Sequence, residues 1–116
     1  MAGRTPTAVT SVTRTALTAF PTPTAAGDVA NGNVSPNDGA TFLAVVSGDA
    51  SAHGLTVTVV SGVDGLTAGP RAYTVPGSAS GVQLAGPFPV SSYGSQLLWN
   101  VDSAQVKVAA YSLLGP

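Results

Sequence analysis

The sequence has no cysteine, no glutamate, one histidine and one lysine. Without thiols it has no disulfide framework, no thiolate zinc site and no cysteine nucleophile, although this absence assigns no redox compartment. A lone histidine, His53, removes histidine clusters. Charged residues make up 8% of the chain and the net charge is −1, against about 25% charged residues in an ordinary soluble domain. The acids are Asp28, Asp38, Asp49, Asp64 and Asp102, the bases Arg4, Arg14, Arg71 and Lys107, and they form no run. Four scattered cations do not supply the many phosphate contacts that drive nucleic-acid binding, so no direct nucleic-acid partner is expected. Such a surface offers little electrostatic resistance to association and suits a protein that works packed against neighbours. Long apolar runs are missing too: Gly, Thr, Ser or Pro breaks each one well before the ~20 residues of a membrane helix, and no membrane partner is expected. The opening Met1-Ala2-Gly3-Arg4-Thr5-Pro6-Thr7 lacks the apolar core of a secretory signal and reads as mature sequence.

What the chain does contain is β-forming. Its 116 residues fit one domain, since domains typically run ~100–150 residues. Gly, Pro, Thr, Val and Ser dominate, all mediocre or poor helix formers, and alanine is scattered rather than gathered in helical windows. Short β-branched runs cut by Gly, Pro, Asn and Asp predict an all-β fold, a single antiparallel β-sandwich of jelly-roll or Ig-like type with about seven to eight strands. Residues 1–24 are read as an extended Thr/Pro-rich N-terminal arm with one strand over 8–17, ended by Pro21-Thr22-Pro23. Residues 25–116 are read as the sandwich.

Within it, a turn-rich connector with Asn31-Gly32 and Asp38-Gly39 leads to Thr41–Val46. That run is apolar on both faces, the pattern of a central strand covered on each side. Leu55–Val59 alternates, with Leu55, Val57 and Val59 inward, and the small polar link between these two runs predicts an antiparallel hairpin. Asp64-Gly65 marks a turn. Further strands are expected at 71–75, 82–85, 97–102 and 105–113, with Leu97, Trp99 and Val101 on one inward face and Val106, Val108 and Ala110 on another.

No constellation of catalytic type emerges, and no catalytic, cofactor-binding or metal-ligating residue is assigned. His53 sits near Asp49 and Ser51, yet a triad needs its members brought together beside an oxyanion hole, and three neighbours on one small loop read as a solvated hairpin tip. The aspartates stand beside turn residues, where Asp closes turns with its own side chain. Asp28, Asn31 and Asn33 offer oxygens for a calcium loop, but the spacing departs from that pattern and the closing bidentate Glu is missing. No phosphate-cradling glycine motif occurs. Trp99 shares its parity with Leu97 and Val101 and reads as core, whereas Tyr93, in a Ser/Gly loop, and Tyr111, opposite the inward face, read as free for contacts.

The order of these pieces resembles a known group. A Thr-rich opening strand precedes Asp28-x-x-Asn31-Gly32-Asn33, then the apolar strand 42–46, Leu-Thr-Val-Thr-Val at 55–59 and a Pro-closed strand at 71–76. Gly86-Pro87-Phe88 follows, and Val101-Asp102 with Val106-x-Val108-x-Ala110 closes the series. Over almost its whole length the chain is similar to the small β-sandwich decoration or minor head proteins of tailed bacteriophages, particularly those of actinobacterial hosts. That resemblance implies a structural virion protein, made in the host cytoplasm, that binds the outer capsid surface and decorates or stabilises the shell. It further implies the major capsid protein lattice as partner, a homotrimer as one assembly state, and neither catalysis nor a cofactor. Candidate capsid or self-association contacts, chosen from the residues themselves, are Arg4, Thr5, Pro6, Val9, Val12 and Arg14 of the arm, with Tyr93 and Tyr111. The arm would gain order by adding to a neighbour's sheet edge or would be an edge strand of its own domain. The rival readings are a carbohydrate-binding or adhesion module and a tail or neck component.

Overall fold

The structure, a computed structural model, describes residues 4–19, 23–60, 62–63, 66–67 and 69–113. In chain order its strands are β1 (Thr5–Pro6), β2 (Val9–Ser11), β3 (Asn33–Pro36), β4 (Thr41–Ser47), β5 (His53–Val57), β6 (Gly62–Val63), β7 (Leu66–Thr67), β8 (Arg71–Val75), β9 (Gln83–Ala85), β10 (Gln96–Val101) and β11 (Val106–Ser112). One helical turn, α1 (Val90–Tyr93), and a 3-10 turn at Ser78–Ser80 complete the set. Five strands form one sheet in the order β1-β3-β10-β5-β8, four form a second in the order β2-β11-β4-β9, and β6 with β7 makes a small ribbon. The fold is an all-β sandwich. Its sheets are mixed, because β1 joins β3 and β2 joins β11 in parallel while every other pairing is antiparallel.

The alternating residues of the two inner faces make the core. Leu43 and Val45 of β4 and Val106, Val108 and Ala110 of β11 meet Leu55 and Val57 of β5, Leu97, Trp99 and Val101 of β10, and Val75 of β8. None of these is more than 4% exposed. Each large aliphatic or aromatic side chain so removed from water contributes about 1.5–3 kcal/mol. The expected inward sets of the last two strands are the observed ones, and Trp99 is core.

Three expectations are corrected. The runs 41–46 and 55–59 do not form a hairpin: β4 lies in the four-stranded sheet and β5 in the five-stranded one. The link between them crosses the sandwich instead, held by Ser47, whose hydroxyl bonds the Asp49 carbonyl, the Asp49 carboxylate and the Ser51 carbonyl at 3.0–3.1 Å. β4 is central, flanked by β11 and β9, but only its inner face is covered by the other sheet, and Phe42 and Val46 on the outer side stay half-exposed. The single arm strand over 8–17 is instead two short strands, one in each sheet. β2 ends at Ser11, opposite Ser112 at the end of its parallel partner, and beyond it the Val12 N–H reaches back to the Ser112 carbonyl at 2.8 Å. β3 lies where the turn residues predict connector. Pro21 and Thr22 of the expected strand stop, and the turn expected at Asp64-Gly65, lie outside the described residues.

Candidate functional site

His53 occupies the first position of β5 rather than a hairpin tip. Its Nε2 lies 3.0 Å from Asp49 Oδ1 and its Nδ1 faces Asp102 Oδ1 at 3.7 Å. The imidazole therefore has a carboxylate on each side. Asp49 stands between Ser47 and His53, accepting from the hydroxyl of one and contacting the ring of the other. A nucleophile needs the ring nitrogen that a carboxylate does not occupy, so this trio ties two loops together and offers the serine no base. The bond to His53 holds the Asp49 carboxyl below its ordinary range.

The remaining turn acids are engaged by their own surroundings. Asp28 accepts from the Thr5 hydroxyl at 2.5 Å, from the amides of Ala30 and Asn31 at 3.1 Å and from the Asn31 side chain at 3.2 Å, and it too is shifted down, by Thr5 first. These N–H and O–H donors take up the oxygens that a calcium ion would need. Asp38 accepts from the Ser112 hydroxyl at 2.5 Å and the Ala40 amide at 2.9 Å, which lower its pKa in that order.

The candidate contact residues fall into two groups. Arg4 turns inward, its Nη1 donating to Asn100 Oδ1 at 2.7 Å and to the carbonyls of Asn33 and Trp99 at 3.1 and 3.3 Å. Thr5 bonds Asp28, Thr5 and Pro6 lie beside β3, and Val9 packs on the core. The arm thus lies along the edges of its own two sheets. Tyr93 is buried, 9% exposed, with its ring edge-on to Phe88 at 4.9 Å. Its place in a Ser/Gly loop suggested freedom, but α1 turns the ring into the sandwich. Val12 and Tyr111 are half-exposed and Arg14 is exposed.

Tyr111 leads to a surface that sequence reading did not assemble. On the outer side of the four-stranded sheet Phe42 stands opposite Tyr111, Ala44 opposite Ala109 and Val46 opposite Lys107, while across the other edge of β4 Ala44 stands opposite Leu84. The rings of Phe42 and Tyr111 are stacked, 5.8 Å apart and 19° from parallel, an offset pair. Leu84 is 59% exposed. A sheet with one solvated face ordinarily alternates apolar and polar residues, yet here the outward positions are mostly apolar, the polar ones being Lys107 and Thr10, which stands opposite Tyr111. Lys107 is the one cation in this set, and its ammonium donates to the Ala104 carbonyl at 2.9 Å. The signal was present as apolar residues at both parities of 41–46, together with Ala109 and Tyr111.

A second feature lies at the open margin of the sandwich, a cleft of about 710 Å³ whose walls include Arg71, Tyr73, Pro70, Pro87, Phe88 and Tyr93. Arg71 and Tyr73 stand opposite Val57 and Leu55, so both occupy inward positions of an edge strand. Among the described residues the facing sheet ends at β9, which the chain leaves at Gly86. That residue has φ +121° and lies so close to Phe42 that an added Cβ would come 3.0 Å from the Phe42 Cα, a conformation and a contact suited to glycine. The Tyr93 hydroxyl, by hydrogen bonding, and Tyr73 nearby raise the already high pKa of Arg71, and burial raises that of Tyr73. Guanidinium and phenol groups therefore converge in one place.

No protein-family model, no curated protein and no solved structure matches this chain.

Proposed function

We propose that this chain is a structural virion protein that seats on the outer surface of a bacteriophage capsid and decorates or stabilises the lattice of major capsid protein. The observation that supports the reading is the apolar outer face of the four-stranded sheet, built on Phe42, Tyr111, Ala109, Val46 and Leu84, with Ala44 buried between them. A sheet face of this kind, on a chain of net charge −1, favours a protein surface as partner over nucleic acid. The stacking of Phe42 on Tyr111 turns those rings toward each other rather than outward as a platform for sugar, which again favours a protein lattice. Binding would hold shell subunits together by covering surface on more than one of them.

The test is to mix the purified protein with capsids that lack it, then measure co-sedimentation and survival of the shell under heat or pressure. Saturable binding and a more resistant shell are expected. Leu84→Asp is expected to weaken binding with the unfolding midpoint nearly unchanged, because Leu84 is already 59% exposed. Absence of binding by the wild-type protein would sink the proposal.

A further inference from the structure

The two sheets expose edges of unequal quality. β1 has two residues, β2 three and β9 three, whereas β8 runs for five, Arg71–Val75, as the last strand of the five-stranded sheet. Its inner side pairs with β5 throughout its length. Along its outer side no strand is paired among the described residues, so the backbone N–H and C=O groups pointing that way form a template for another strand. Natural edges are often guarded by an inward-pointing charge, and Arg71 is such a charge.

The surroundings of Arg71 qualify that guard. A strand laid against β8 would alternate its side chains, and the one opposite Arg71 on the inner face would enter the cleft between Tyr73, Tyr93, Pro87 and Phe88. A neutral or apolar residue there would strip water from the guanidinium without replacing its partner, a costly burial. A carboxylate would receive the fork of two parallel N–H donors, with phenol hydroxyls beside it. The described residues provide no carboxylate of their own for this purpose, since their only ion pairs join His53 to Asp49 and Asp102. The edge is thus shut to most strands and open to one chemistry.

We propose that β8 is a docking edge for an extended segment of a partner protein, added as a further strand of the five-stranded sheet, with an Asp or Glu side chain seated in the cleft on Arg71. Backbone pairing supplies the affinity and the buried carboxylate the specificity. This edge belongs to the other sheet from the apolar outer face, and the proposal stands without the capsid reading.

A library of random twelve-residue peptides selected on the immobilised full chain tests it without any capsid. Selected peptides are expected to share one acidic residue within a β-branched run. Their binding is expected to shift the backbone amide resonances of Arg71–Val75 and to fall roughly 30-fold or more when the acid is changed to its amide, the low end for losing one partner of a buried charge pair. Arg71→Gln should abolish that preference while keeping the wild-type unfolding midpoint, and Asp64→Asn should leave it intact. The proposal is overturned by peptides that bind the acid and amide forms equally, by shifts confined to other edges, by failure to enrich any peptide over the Arg71→Gln protein, or by tighter binding to Asp64→Asn, which would make Asp64 the resident partner of Arg71.

Discussion

Ser35 shows how a polar residue comes to occupy the core of this molecule. It is fully buried, and its hydroxyl accepts the indole N–H of Trp99 at 3.1 Å. Asn33, two residues earlier on the same face, donates to the carbonyls of Asp28 and Trp99 at 3.4 Å and accepts the Asp28 amide at 2.9 Å. Both residues look like loop in the sequence, and their segment was read so, because nothing in Asn-Val-Ser-Pro announces that a tryptophan 64 positions away needs an acceptor. Ser35→Ala leaves the indole donor buried without one and is expected to cost about 1–3 kcal/mol, read as a lower midpoint in denaturant with an unchanged slope. Acid sensitivity belongs at this scale too. Asp28, Asp38 and Asp49 all have folded pKa values below the ordinary 3.8. Their contribution is therefore complete above that value and is lost as pH falls through the lowered folded values. Thermal midpoints should stay level down to about pH 4 and then drop, with Asp38→Asn, which breaks the Ser112 contact, lowering the neutral-pH midpoint and flattening part of that drop.

The elements that matter most are the two short strands of the arm. Leaving the interior, the chain passes from β1 on one sheet to β2 on the other within seven residues, Thr5 to Ser11, and so closes one side of the sandwich with a strand in each layer. The Thr5 and Thr7 amides donate to the carbonyls of Gly32 and Val34 at 3.0 and 2.8 Å, and Arg4 adds three bonds, two to Trp99 and Asn100 of β10 and one to Asn33 of β3. Removing residues 1–11 should leave the sandwich folded but about 5 kcal/mol less stable, at about 1 kcal/mol for each of these hydrogen bonds. The bared edges of β3 and β11 should also make the shortened protein self-associate, which sedimentation velocity would detect. Strands with strict alternation, β10 and β11, were legible almost to the residue, because their inward sets are aliphatic or aromatic except for Ser112 at the end of β11. The arm's strands were not, since their length is set by where β3 and β11 begin and end and not by anything in residues 5–17. For the same reason the link from Ser47 to Ala52 could not say whether it turned back within a sheet or crossed to the other.

For the whole molecule, the sandwich follows from composition and turn spacing, while the pairing of strands does not. The apolar outer face and the β8 cleft both exist only once partners are known, because Phe42 and Tyr111, or Arg71 and Tyr93, are far apart in sequence and meet through register. Docking by the outer face would draw little on charge, Lys107 being its lone cation. Capsid co-sedimentation should therefore persist from low to high salt, where an electrostatic contact would be screened, and sulfate should strengthen it if anything. A sharp loss of binding at high salt would move attention to the charged groups instead.

The alternation of strands between layers also bears on time. β3 must wait for β10 and β4 for β11, so on a ribosome neither layer has its central pairing until residues 96–112 have been made. Until then the apolar run of β4 has only the three-residue strand β9 beside it in its sheet. The nascent protein can pair β5 with β8 and β4 with β9 early but closes its layers only with β10 and β11, so whatever protects the β4 run in the cell must act before residues 106–112 emerge.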